Sequence, residues 1–180
     1  MAARPAGANE QAAGQRFEKL EGVDGGRHSL DRLAGERATV LVFTSGSCPT
    51  ARSYEDRLIL LQARWHHAGV HLVAINSNNP HLSPADTLDA MARRSAMRGF
   101  NFPYLKDADG AVARSYQVAC TPHAVVLDRN LTIVYSGRID DSRTGAGIAS
   151  RDLEAAIEDV LAGRPVATGK TEPFGCSIIW

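Results

Sequence analysis

Three cysteines, Cys48, Cys120 and Cys176, are the residues whose chemistry reaches beyond packing. Cys48 stands in Ser45-Gly46-Ser47-Cys48-Pro49, directly after the apolar run Thr39 to Thr44. A buried strand that ends in a small-residue turn, followed by Pro at the first helical position, puts a thiol beside the unpaired N–H groups of a helix start. Those donors and the helix dipole stabilise an anion, and a thiolate is such an anion. The chemistry expected is nucleophilic attack on a peroxide oxygen or on a disulfide sulfur. The competing reading is a small buried apolar residue, although structural cysteines more often lie inside elements than at turns.

Two further thiols are candidates to answer the first. Cys120-Thr121-Pro122 precedes an apolar run, where Pro122 reads as an ordinary turn proline or as a locked cis-Pro. Cys176 lies in Gly175-Cys176-Ser177, before the apolar end Ile178-Ile179-Trp180. An end of that kind is expected to dock, since burying each such side chain is worth ~1.5–3 kcal/mol. Cys176 is then either part of an anchor or a resolving thiol. His123 either faces Cys48 or simply begins a strand. Cys48, Cys120 and His123 lack the short-range spacing of metal ligands, so no metal and no other cofactor is expected. His66, His67, His71 and His81 fall near helix ends or loops and read as solvated.

The elements that must position these residues follow from periodicity. Thr39–Thr44 and Val70–Ile75 are continuous apolar runs, as in strands buried on both faces. Between them a helix is expected from Pro49 to about Ala68, with Tyr54, Leu58, Leu61 and Trp65 on one stripe and Gly69 as its stop. Ser83-Pro84-Ala85-Asp86 reads as an N-cap, a Pro at N1 and an acidic N3 for a helix to about Met97. An extended piece at Phe102–Leu105, a helix at Ala111–Tyr116, a hairpin of Ala124–Leu127 with Thr132–Ser136, and a last helix at Arg151–Leu161 complete the order. Alternating strands and helices with a closing hairpin make an α/β domain, its mixed sheet covered on both faces.

Composition narrows the function classes. Twenty basic residues balance twenty acidic ones, which argues against a broad nucleic-acid footprint. Residues 1–15 are rich in Ala and Gly without an apolar h-region and read as a disordered leader. No segment has the apolar length of a transmembrane helix. A cytoplasmic setting is the default, and an odd, small number of cysteines is not a disulfide framework. One domain over 16–163 and a docked tail over 164–180 are expected.

The set of motifs resembles the peroxiredoxin-like branch of the thioredoxin superfamily, the alkyl hydroperoxide reductase/thiol-specific antioxidant and redoxin proteins. The resemblance rests on Leu41-Val42-Phe43 leading to Ser47-Cys48-Pro49, on Asn76-Ser77-Asn78, and on Phe102-Pro103-Tyr104-Leu105-Lys106-Asp107. It continues through Cys120-Thr121-Pro122, Tyr135-Ser136-Gly137-Arg138-Ile139-Asp140-Asp141 and the terminal Gly175-Cys176-Ser177-Ile178-Ile179-Trp180. It implies a thioredoxin-like fold with Cys48 as nucleophile, Pro122 as the facing cis-Pro, and Pro49, Thr121, Pro122 and His123 along the substrate side. Two departures stand out. Ala51 occupies the second position of a thioredoxin dithiol, which excludes Cys-x-x-Cys exchange. Ser45 stands where peroxiredoxins carry a Thr, with Thr44 one residue further back and no upstream Pro in that strand; a Ser hydroxyl can both donate and accept in its place.

The expected function is thiol-dependent peroxide reduction through a Cys48 sulfenic acid, resolved by Cys120, by Cys176 or by an external thiol. The substrate is a peroxide or a disulfide, and the reductant a thioredoxin-like protein or a small thiol. The alternatives are a one-Cys thiol–disulfide exchanger and a non-catalytic binding module on the same fold.

Overall fold

The structure is a computed structural model and describes residues 13–180. Residues 1–12 of the expected leader lie outside the described residues. Ala13 bridges to Thr132, and the Tyr116 hydroxyl donates to the Gln15 carbonyl.

Among the described residues nine strands and six α-helices follow in chain order: β1 (Leu20–Gly22), β2 (Arg27–His28), α1 (Leu30–Leu33), β3 (Ala38–Phe43), α2 (Pro49–Ser53), α3 (Glu55–Trp65), β4 (Val70–Asn76), α4 (Leu88–Arg98), β5 (Tyr104–Lys106), α5 (Ala111–Ser115), β6 (Cys120–Thr121), β7 (His123–Asp128), β8 (Ile133–Gly137), α6 (Asp152–Leu161) and β9 (Cys176–Ser177). Seven strands form a mixed sheet in the order β2-β1-β5-β4-β3-β7-β8, while β6 and β9 form a separate antiparallel pair. β3 runs parallel to β4 and antiparallel to β7.

The alternation along β3 explains its unbroken apolar sequence. Ala38, Val40 and Val42 join a core with Tyr54, at the junction of α2 and α3, and with Leu58, Met91, Leu153 and Ile157 from α3, α4 and α6. Leu41 and Phe43 point the other way, into a core with Leu30, Val112, Tyr116 and Ile178. Both faces are therefore covered, as the apolar runs require, and the fold is the thioredoxin-like α/β arrangement.

Two helices depart from expectation. The helix after Cys48 stops at Ser53 and restarts at Glu55. At the break the Tyr54 N–H bonds to the Ala51 carbonyl three residues back, and the Tyr54 hydroxyl lies 3.0 Å from Asp140 Oδ1. The second helix begins later than Ser83. Pro84–Asp86 forms a 3-10 turn, and Thr87 caps α4 by accepting the Ala90 N–H.

Candidate active site

Cys48 sits at the junction that the sequence points to. It is the N-cap of α2, with extended backbone, and its sulfur accepts the Ala51 N–H at 3.3 Å. On its other side the thiol faces β6 and lies 3.2 Å from the Thr121 carbonyl. The Thr121–Pro122 peptide bond is cis.

The tail closes this corner. In the β6–β9 pair Thr121 stands opposite Cys176 and Cys120 opposite Ser177, and β9 also packs against α2. Gly175 makes the approach feasible, because any Cβ there would collide with the Thr121 carbonyl oxygen. Beyond β9 the Ile178 N–H donates to the Ala119 carbonyl at 2.9 Å. Ile178 is buried, whereas Trp180 is 48% exposed. The Trp180 ring lies over Gly110 with the Arg114 guanidinium 4.8 Å from its centre. The expectation of a substantially buried Trp180 is corrected accordingly: the aliphatic residue anchors the tail and the indole lies on the surface as a cap. Cys48 differs from expectation too. A thiol at a turn implies partial accessibility, whereas Cys48 is only 2% exposed, because the tail covers it with Cys176.

The thiols are electrostatically unequal. Burial opposes ionisation of Cys48, but hydrogen bonding with the Cys176 thiol, the Ala51 N–H and Thr121 outweighs it and lowers the Cys48 pKa. Burial, hydrogen bonding with Cys48 and the Cys48 charge push Cys176 up to about 11. Cys120 is raised by burial, Glu172 and the charge of Cys48. Of the pair, Cys48 is the more readily ionised and Cys176 the less.

Behind Cys48 lies a buried polar network that the sequence reading did not assign. Its centre is Asp86, fully buried. The Asp86 carboxylate accepts the Gly46 N–H at 2.7 Å, and the hydroxyls of Ser47 at 2.7 Å and Ser83 at 2.5 Å. The Nδ2 groups of Asn76 and Asn78 donate to it at 2.7 and 2.9 Å. Burial works against this carboxylate, but its many donors hold it at about 2. Lys106 Nζ bonds to Asn76 Oδ1 and to the Asn78 carbonyl, and burial draws it down to about 8. The available signal was the polar run Asn76-Ser77-Asn78 at the end of a strand buried on both faces.

The other expected site residues fall into place around this frame. Pro49 is the first residue of α2. Thr44 is buried and extends the β3–β4 pairing through its N–H to the Ile75 carbonyl. The Ser45 hydroxyl is engaged with Asp86, Ser47 and Asn78 and forms part of the network. His123 begins β7, opposite Phe43, and its Nε2 lies 2.8 Å from the Ser136 hydroxyl. Burial and the Lys170 charge lower it to about 4, so it is neutral. It makes no hydrogen bond to Cys48. Among the described residues no group of three His, Cys, Asp or Glu side chains is arranged to hold a metal ion.

This geometry can be set beside known proteins. A comparison with curated proteins finds no match. Among solved structures, an uncharacterized conserved protein from Geobacillus kaustophilus is 36% identical, with 96% of this chain and 94% of that one covered and a TM-score of 0.87. A hypothetical protein from Sinorhizobium meliloti is 34% identical over 94% of this chain and 93% of that one, with a TM-score of 0.88. A candidate thiol:disulfide interchange protein DsbE from Chlorobium tepidum is 25% identical over 71% of this chain and 84% of that one, with a TM-score of 0.60. The model of the AhpC/TSA family matches residues 12–136, from before β1 to within β8, taking in Cys48 and the cis-Pro but not the tail. With that match over more than half its length, the chain belongs to the AhpC/TSA family of thiol-dependent redox proteins.

Proposed function

We propose that this protein reduces peroxides with Cys48 as the attacking thiolate and Cys176 as the resolving thiol. One observation supports the reading: the β6–β9 pairing sets Cys176 opposite Thr121, whose carbonyl lies 3.2 Å from the Cys48 sulfur. In the first step the Cys48 sulfur attacks a hydroperoxide oxygen. The O–O bond breaks, the alkoxide leaves and takes up a proton, and Cys48 becomes a sulfenic acid. That oxidation removes the thiolate charge, which is one of the causes holding the Cys176 proton in place. Cys176 is thereby freed to attack the sulfenic sulfur. Water leaves with the Cys176 proton, and a Cys48–Cys176 disulfide remains.

Two external thiols, from a thioredoxin-like protein or a small-thiol pool, restore the dithiol by exchange. A reducing compartment such as the cytoplasm suits that last step. The Chlorobium neighbour, named as a candidate disulfide interchange protein, supports a disulfide as a second class of oxidant for the same dithiol. A one-Cys exchanger is less well supported, because the tail occupies the β6 edge beside the cis-Pro where a protein partner would lie.

The test is peptide mass mapping after one equivalent of hydrogen peroxide, with thiols counted in parallel. A Cys48–Cys176 crosslink, lost in Cys176→Ser and kept in Cys120→Ser, is expected. Over-oxidised Cys48 without a crosslink would replace Cys176 by an external thiol. An inert Cys48 would leave a binding module.

A further inference from the structure

Asn78, in the loop after β4, is 3% exposed and its side-chain amide faces two ways. Its Nδ2 donates to Asp86 Oδ2 at 2.9 Å and lies 3.0 Å from the Ser45 hydroxyl. Its Oδ1 accepts the Ile179 N–H at 2.9 Å, and the neighbouring Asn79 N–H donates to the Ile179 carbonyl at 2.6 Å. Both backbone groups of Ile179, three residues beyond Cys176, are thus held by residues 78 and 79. Asp86 meanwhile accepts the Gly46 N–H and the Ser47 hydroxyl, from the two residues just before Cys48.

The orientation of the amide is dictated by charge. A carboxylate can only accept, so the NH2 group of Asn78 must face Asp86 and its carbonyl must face the tail. The turn that carries Cys48 is therefore linked through one amide to the tail two residues beyond the strand that carries Cys176, although neither Asn78 nor Asp86 bonds to a sulfur. A residue needed only to fill space would not require a donor on one side and an acceptor on the other.

We propose that Asn78, oriented by Asp86, is a positioning residue that holds Cys176 within reach of Cys48 and so sets how strongly the pair closes to a disulfide. This deepens the reading of Cys176 as resolving thiol and rests on it. The equilibrium concerned is balanced: the reduced chain and one glutathione disulfide give the Cys48–Cys176 disulfide and two glutathiones. A tail released from Asn78 lowers the effective concentration of Cys176 at Cys48 and shifts this equilibrium toward the dithiol.

The experiment measures that constant in the full chain by acid quench and mass spectrometry across glutathione ratios. Asn78→Ala is expected to lower it about tenfold, the effect of losing one buried hydrogen bond. Ile179→Pro removes the tail donor and leaves the Asn78 side chain and its network intact, so it should lower the constant similarly. In a Cys176→Ala background, Ile179→Pro should quicken Cys48 alkylation, because the released tail uncovers the sulfur, while the far-ultraviolet circular dichroism stays that of the parent, which general damage to the fold would not allow. An unchanged constant in Ile179→Pro overturns the proposal even if Asn78→Ala falls, since the effect would then be packing. If Asn78→Ala does not fold, Ile179→Pro decides alone. Failure of the parent chain to form any Cys48–Cys176 disulfide is a separate result and would refute the resolving role itself.

Discussion

The thiols of Cys48 and Cys176 differ in how readily they ionise, and the difference has a direction that can be measured. Cys48 has the Ala51 N–H and a neighbouring thiol to stabilise its anion; Cys176 has that anion beside it. Removing either member should move the other in a known sense. In Cys176→Ala the docked tail keeps Cys48 buried but takes away a hydrogen bond, so the pH at which Cys48 alkylates should rise. In Cys48→Ala the Cys176 thiol should titrate below about 11, since a hydrogen bond and a like charge are gone. Alkylation rate against pH, followed by mass spectrometry at each peptide, checks both. At this scale the Cys48 turn was legible because strand, turn and Pro leave a pattern in sequence, whereas the facing cis-Pro at Pro122 came from the family resemblance and not from its spacing. Asp86 was not. Ser83-Pro84-Ala85-Asp86 fits a helix start as well as it fits a turn, and the donors that hold the carboxylate inward, Gly46, Ser47, Asn76 and Asn78, come from distant or non-helical positions. Asn78 stayed hidden for a related reason: its partner Ile179 is about a hundred positions away.

Among the elements, the short ones do the positioning, and periodicity sees short elements poorly. β3 and β4 announced themselves as buried runs. β6 and β9 are two residues each, too short to alternate visibly, yet their pairing brings Cys176 to Cys48. The break at Tyr54 was equally silent, since its side chain keeps the apolar stripe while its hydroxyl reaches Asp140 and its N–H pairs with Ala51. The tail was legible by its composition, but not its register, which Gly175 determines through close contact with Thr121. Gly175→Ala should therefore lift the tail from β6. A backbone clash that costs more than ~1 kcal/mol corresponds to roughly tenfold faster alkylation of Cys176 in the reduced protein. The rate is read by time-resolved iodoacetamide labelling. A rate equal to that of the parent would mean that the tail is held without this contact.

For the whole molecule, the buried network and the thiol pair each link folding to solution conditions. Asp86 has a pKa of about 2 in the fold against an ordinary 3.8. A depressed carboxylate adds stability above its unfolded value and loses it as pH falls through the folded one. The contribution is about 2 kcal/mol, lost between roughly pH 4 and pH 2. Urea unfolding at stepped pH should show this acid limb, and Asp86→Asn should flatten it.

Oxidation should act on a larger scale, because a Cys48–Cys176 bond ties the first helix of the site to the end of the chain. In the chain-entropy description, a loop of that span restricts the unfolded state by about 4–5 kcal/mol. The reduced tail is already docked at the same place by β6, Ala119 and Asn78, so the folded state gives up little freedom in return. The oxidised protein should unfold roughly 10 °C or more above the dithiol form. Calorimetry of peroxide-treated and dithiothreitol-treated samples measures the difference directly. The gap should vanish in Cys176→Ser and persist in Cys120→Ser. A gap that instead depends on Cys120 would move the bond to that thiol, and an oxidised wild type melting below the reduced form would show that closing the bond pulls the tail away from its docked register.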